Sequence, residues 1–166
     1  MTPAAENGGP AAPDGVVRFL DDLRAAESAA VEVFDAWVDS CRLAGLRGAL
    51  RTIAAREAAH AELLDARLAE LGVTPTATVD ADVRSAAVAR FASPAVSDEE
   101  KLALVLARYP DDRAAARPFD AVLAAGAVDP ETRELLVLVA DAEVATVAWL
   151  RAYLAGLARP GDRVRR

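Results

Sequence analysis

The run from Leu46 to Leu71, LRGALRTIAAREAAHAELLDARLAEL, aligns Leu46, Leu50, Ile53, Glu57, His60, Leu64, Leu68 and Leu71 at steps of three and four. That spacing is one face of an α-helix, and Gly72 directly after it is a natural C-terminal stop. Six of the eight residues are apolar, as a face turned into a protein core requires, but the two at its middle are not. Glu57 and His60, the only histidine of the chain, stand one turn apart there. A charged group on an inward stripe is costly to bury unless something pairs with it.

Working outward, the same period predicts three more long helical regions. After Asp14, a plausible cap, a first helix runs to about Leu43 with Leu20, Leu23, Glu27, Ala30, Phe34, Trp37 and Cys41 inward. A turn near Gly45 leads into the second helix, the run already quoted. Residues 73–96 carry two prolines and a short helical patch from Val83 to Phe91, and they are long enough to cross the length of a bundle. Ser97 with Glu100 is a capping box that starts a third helix. Pro110 and Pro118 then kink that helix or divide it before Gly126, because each removes a backbone donor and crowds the preceding turn. Asp129-Pro130 caps a fourth helix that continues to about Leu157, with Leu136, Val139, Glu143, Thr146, Leu150, Tyr153, Leu154 and Leu157 inward. Laid on the second helix, the fourth matches Glu143 to Glu57 and Thr146 to His60, a weak internal repeat. The expected organisation is a disordered tail over residues 1–14, one helical domain over 15–158 and a short basic tail over 159–166.

Composition excludes several function classes. A net charge of -7 argues against a nucleic-acid or anionic-membrane surface, which would need clustered Lys and Arg. The 54 % hydrophobic and 5 % aromatic content fits an alanine- and leucine-rich helical bundle. No stretch reaches the ~18 uninterrupted apolar residues of a membrane span. Cys41 is the only cysteine, which rules out an intrachain disulfide and reads as a small buried residue. The N-terminus lacks the basic and apolar regions of a signal peptide, so a cytoplasmic location is expected.

The chemistry gathers in Glu27, Glu57, His60 and Glu143. Each glutamate lies near the middle of its helix, so antiparallel packing should bring all three to similar depth around one axis. Three carboxylates in one dry core repel each other unless they take up protons, a cationic side chain or a metal. A metal ion resolves the conflict for all three at once, and an imidazole nitrogen beside them suits iron, manganese or zinc. In a two-ion arrangement, with ions about 3.5–4 Å apart, Glu57 would be the bridging carboxylate.

With Glu27 on the first helix and Glu57-x-x-His60 on the second, the chain resembles the ferritin and rubrerythrin-like superfamily of non-haem di-iron carboxylate proteins over roughly Val16 to Leu157. The resemblance implies an all-α, ferritin-like antiparallel four-helix bundle with one long crossover between the second and third helices. It implies non-haem iron, as a di-iron or mono-iron site, or manganese, reacting with O2 or peroxide in a ferroxidase or oxidase manner, and homo-oligomers are common in the family. Glu27 and His60 would be terminal ligands of the first ion and Glu57 the bridge, while Glu143 would hold the second. The family's third-helix carboxylate falls level with Glu143 near residue 112, which makes Asp112 the candidate, with Asp111 and Asp120 as alternatives. Thr146 stands where some members carry a second histidine.

Other readings of the same residues remain open. Arg113 could reach inward and neutralise Glu143 in place of a second ion. The bundle could hold one ion in its first half alone, or be a metal-free scaffold or interaction module. Tyr109, Trp149 and Tyr153 read as core packing, and Thr146 as a hydroxyl bonded to a carbonyl one turn back. The acidic cluster Asp98, Glu99 and Glu100 complements the positive end of the third helix.

Overall fold

The apolar stripes become the buried faces of a helical structure, with no strand among the described residues. The computed structural model describes residues 14–125 and 128–158. These form α1 (Asp14–Ser40), α2 (Ala44–Glu70), α3 (Ala81–Ala92), α4 (Asp98–Leu106), a 3-10 segment (Asp112–Ala116), α5 (Arg117–Ala124) and α6 (Pro130–Leu157). Asp14 opens α1 and does not belong to the expected tail. The rest of that tail, residues 159–166 and the expected stop at Gly126 lie outside the described residues. No helix among the described residues is long and apolar enough to cross a membrane.

Each helix end has a local cause. Past Glu70 the backbone of α2 turns at Gly72, whose φ is 72°. The Gly72 and Val73 N–H groups donate to the Ala69 and Leu68 carbonyls at 3.0 and 2.9 Å, closing a Schellman motif. Gly72→Ala should therefore cost about 1–2 kcal/mol, because a β-carbon is crowded in the left-handed region. Gly48, in α2 with open space where a β-carbon would lie, should instead gain up to about 1 kcal/mol on substitution by alanine. Urea unfolding of the two variants checks the opposite signs.

α1 stops at Ser40 and not near Leu43, because the Arg42 and Leu43 N–H groups donate to the Asp98 carboxylate at 2.8 and 3.2 Å instead of continuing the helical ladder. Cys41 is buried as expected, but in this loop and not on the helix. The capping box of Ser97 and Glu100 and the Asp129 cap of α6 both form. Pro110 falls in the break between α4 and the 3-10 segment, while Pro118 sits in the first turn of α5, where its missing N–H has no helical partner to lose.

Two apolar clusters hold these elements together. Trp37, Leu46, Leu50, Leu102 and Leu150 belong to one; Leu20, Leu64, Leu68, Phe119 and Leu136 belong to the other. Each fully buried leucine contributes about 1.5–3 kcal/mol by leaving water. The chain enters them in an order that fixes direction: α1 and α6 run from the second cluster to the first, while α2 and the α4–α5 stretch run the opposite way. The segment between α2 and α4 follows α1. Asp21 accepts from the Thr76 and Ala77 N–H groups at 2.7 and 2.8 Å, and farther along Ser40 donates to the Phe91 carbonyl at 2.7 Å. Between the two clusters, α1, α2 and α6 each present polar side chains to the interior.

A buried carboxylate and imidazole cluster

The polar layer is formed by Glu27 on α1, Glu57 and His60 one turn apart on α2, and Glu143 on α6. Each offers one ligand atom, and these atoms all lie within 4.8 Å of one another. Glu27, Glu57 and His60 are 3 %, 4 % and 2 % exposed, while Glu143 is half-buried. Local packing explains the convergence. Leu23 and Val33 flank Glu27, Ile53 and Leu64 flank the α2 pair, and Val139 and Val147 flank Glu143, all of them held in the two apolar clusters.

The cluster does not satisfy itself. His60 Nδ1 lies 3.6 Å from Glu27 Oε2, too far for a hydrogen bond, and both atoms are buried without a partner, as is Glu143 Oε1. Leaving such groups unpaired costs about 1–3 kcal/mol each. Burial pushes Glu57 up to about 9, helped by the neighbouring Glu27 carboxyl. Burial and the Glu57 charge push Glu143 up to about 7, and burial raises Glu27 as well. His60 moves the other way, its imidazolium disfavoured by burial. A neutral imidazole with a free nitrogen lone pair is the form that binds a metal.

Not every residue expected at the site arrives there. Asp112 is turned away from the cluster and accepts from Arg151 Nε at 2.7 Å, because the 3-10 segment after Pro110 directs it to α6's outer side chains. The alternatives are engaged as well: Asp111 with Arg117, and Asp120 with Arg113 at 3.6 Å. Arg113 is thus exposed and does not reach Glu143.

The cation beside the cluster is Arg56. Its Nη2 is 4.0 Å from Glu57 Oε1 and donates to the Thr146 hydroxyl, which in turn donates to the Ala142 carbonyl at 3.0 Å. Arg56 Nε is buried without a partner. A stripe drawn by spacing omits it, yet a long side chain at the stripe's edge can lay its stem along the apolar seam and bring its head inward. Its place immediately before Glu57 was the available signal.

Among the aromatics, Tyr109 packs half-buried against the first apolar cluster. Trp149 is exposed and not core, stacked on Tyr153 with ring centroids 5.0 Å apart. The cluster also has an approach that spacing could not reveal. A cavity of about 620 Å³ between α1, α3, α4 and α6 ends at Glu57, Glu143 and Thr146.

No known protein-family model, curated protein or solved structure matches the chain. The donor set alone therefore defines the chemistry: three carboxylates and a neutral imidazole could hold a metal ion, and without one they must take up protons.

Proposed function

We propose that the protein is a ferritin-like four-helix metalloprotein that holds one non-haem iron or manganese ion through Glu27, Glu57, His60 and Glu143. The observation that carries this reading is the set of buried, unpartnered donor atoms on Glu27, His60 and Glu143. Charge balance favours one ion over two. With Asp112 elsewhere, three carboxylates against the single guanidinium of Arg56 leave two negative charges, which one divalent ion neutralises. The opposed directions of α1 and α6 against α2 and the α4–α5 stretch, with residues 73–97 laid along α1, support the antiparallel four-helix arrangement with a long crossover.

Iron or manganese bound there would supply reactivity toward O2 or peroxide, of the oxidase or ferroxidase kind. The protein's own contribution would be binding. Glu57 and His60, one turn apart on α2, present carboxylate and imidazole together; Glu27 and Glu143 close from the neighbouring helices; the apolar clusters pack the helices on both sides of the layer. Arg56 fixes Thr146 and supplies a permanent positive charge beside Glu57.

Elemental mass spectrometry of untagged protein from iron-supplemented cells tests the reading. The expected result is roughly one iron or manganese ion per chain, lost in Glu57→Ala and His60→Ala but kept in Thr146→Ala, whose hydroxyl contacts only Arg56 and a carbonyl. A second reading, a metal-free scaffold, is favoured by Arg56 and by the raised Glu57 and Glu143, which allow protons to neutralise the core. Absence of metal even after anaerobic Fe(II) loading would select it.

A further inference from the structure

The cavity above the cluster is built for a molecule with two unlike ends. Its volume of about 620 Å³ lies within the range of about 300–1,000 Å³ typical of small-molecule sites. The space exists because α1 and α3 present small residues to it, among them Ala26, Ala30 and Ala87, while Val83, Leu104 and Val147 make the rest of the wall apolar. At the inner end stand Glu57 and Glu143, the only acidic residues of the lining.

The outer end has the opposite charge. Arg84, Arg90 and Arg108 also line the cavity, and all three are solvent-exposed, which places them at the rim. Arg84 is paired with Glu32 at 3.3 Å. Arg90 and Arg108 make no ion pair among the described residues, and no carboxylate lines the rim beside them. Two free guanidinium groups over an apolar shaft attract an anionic head and admit an apolar body. The reverse orientation would bring the anion against the inner carboxylates.

We propose that this cavity binds a free, single-chain amphipathic carboxylate, its chain directed inward and its carboxylate held at the rim by Arg90 and Arg108. Binding stands on the cavity alone. That the inner end of the chain would lie against metal ligands rests on the proposed metal site.

Calorimetric titration of the metal-depleted full chain with octanoate, decanoate and 1-octanol tests the inference. Decanoate should bind roughly tenfold more tightly than octanoate, since two further methylenes leave water. Octanoate should bind a few-fold more tightly than octanol, and the double variant Arg90→Gln/Arg108→Gln should erase that difference while leaving octanol unchanged. Ala87→Phe, which fills the shaft from the half-buried face of α3, should weaken all three ligands at least tenfold. Because the arginine variant alters only exposed side chains, it stays informative if the phenylalanine variant misfolds. Absence of decanoate binding, affinity independent of chain length, or octanol binding as tight as octanoate would overturn the inference. Metal content measured on the same preparations separates the two proposals: a chain that takes up metal but not decanoate refutes only the cavity's ligand, and one that binds decanoate but no metal refutes only the metal centre.

Discussion

Glu57→Gln should abolish stabilisation by metal and, in metal-depleted protein, remove most of the loss of stability that the wild type shows as pH rises from about 6.5 to 9. The two effects share one cause. Burial, followed by the nearby Glu27 carboxyl, raises Glu57 from 4.5 to about 9 in the folded chain. The folded state therefore holds this proton more tightly than the unfolded state, so its contribution is complete below pH 4.5 and declines as pH rises through 9. Glu143, raised to about 7, has the same sign. His60 has the opposite sign, because its lowered value penalises the folded state only below the ordinary 6.5. The window above 6.5 thus leaves His60 out, and Glu57 alone should account for up to about 3 kcal/mol across it. Glutamine keeps the volume and a donor for Glu27 but has no proton to lose.

Metal reverses the sign in the wild type, because a divalent ion replaces the proton and favours the ionised carboxylates. Saturating Mn(II), or Fe(II) under anaerobic conditions, should add about 2.7 kcal/mol at a hundredfold excess over the dissociation constant. Denaturant unfolding across the pH series, in chelator and then in metal, measures both effects. A Glu57→Gln protein that is still stabilised by metal and still loses stability with rising pH would refute the central role of this carboxyl.

The convergence of side chains was legible from sequence where a helix repeats itself and was lost where the chain leaves a helix. Glu27, Glu57, His60 and Glu143 were legible because an inward stripe is a periodic signal, and a polar residue on it stands out against its leucine neighbours. Gly72, Ser97 with Glu100, and Asp129 with Pro130 were legible because capping chemistry is local. Counting helical turns back from the connection before α6 brings Asp112 level with Glu143 only if the helix is continuous. The break at Pro110 and the 3-10 segment spoil that register and turn the side chain to Arg151. Arg56 was hidden by the flexibility of its own side chain, whose reach exceeds the resolution of a face diagram.

The cavity was illegible for a different reason. Alanine is both the best helix former and an ordinary filler of close helix contacts, so Ala26, Ala30 and Ala87 look the same whether they let helices touch or hold them apart. Only the packing of α3 against α1 and its distance from α6 decide between these uses. The polar layer shows the complementary case: the sequence places apolar residues on both sides of Glu27, Glu57 and Glu143, and this alternation along α1, α2 and α6 produces two cores with a polar floor between them.

Asp98→Ala should destabilise the protein by about 3–5 kcal/mol, far more than Glu99→Ala one residue later, which should stay below about 1 kcal/mol. From sequence the two carboxylates looked equivalent, as acidic residues at the start of a helix. In the fold only Asp98 turns inward. Trp37 Nε1 donates to it at 2.8 Å, and the N–H groups of Arg42 and Leu43 reach its other oxygen. Burial alone would raise this carboxyl, but the Trp37, Arg42 and Leu43 donors outweigh it and hold it below the ordinary range. Alanine would strand a buried indole N–H and two backbone donors at the turn that joins α1 to α2. It would also remove the negative charge nearest Lys101, a fully buried lysine whose ammonium otherwise has the Ser40 hydroxyl at 2.8 Å. Asp98→Asn should fall between, keeping an acceptor for the indole while leaving Lys101 without a counter-charge. Because the folded carboxyl is depressed, the wild-type contribution is present above the unfolded value near 3.8 and fades as pH falls through the folded one, opposite in sign to Glu57. Guanidinium unfolding followed by tryptophan fluorescence measures all three variants, and an Asp98→Ala protein as stable as Glu99→Ala would show that this junction does not anchor α4 to α1.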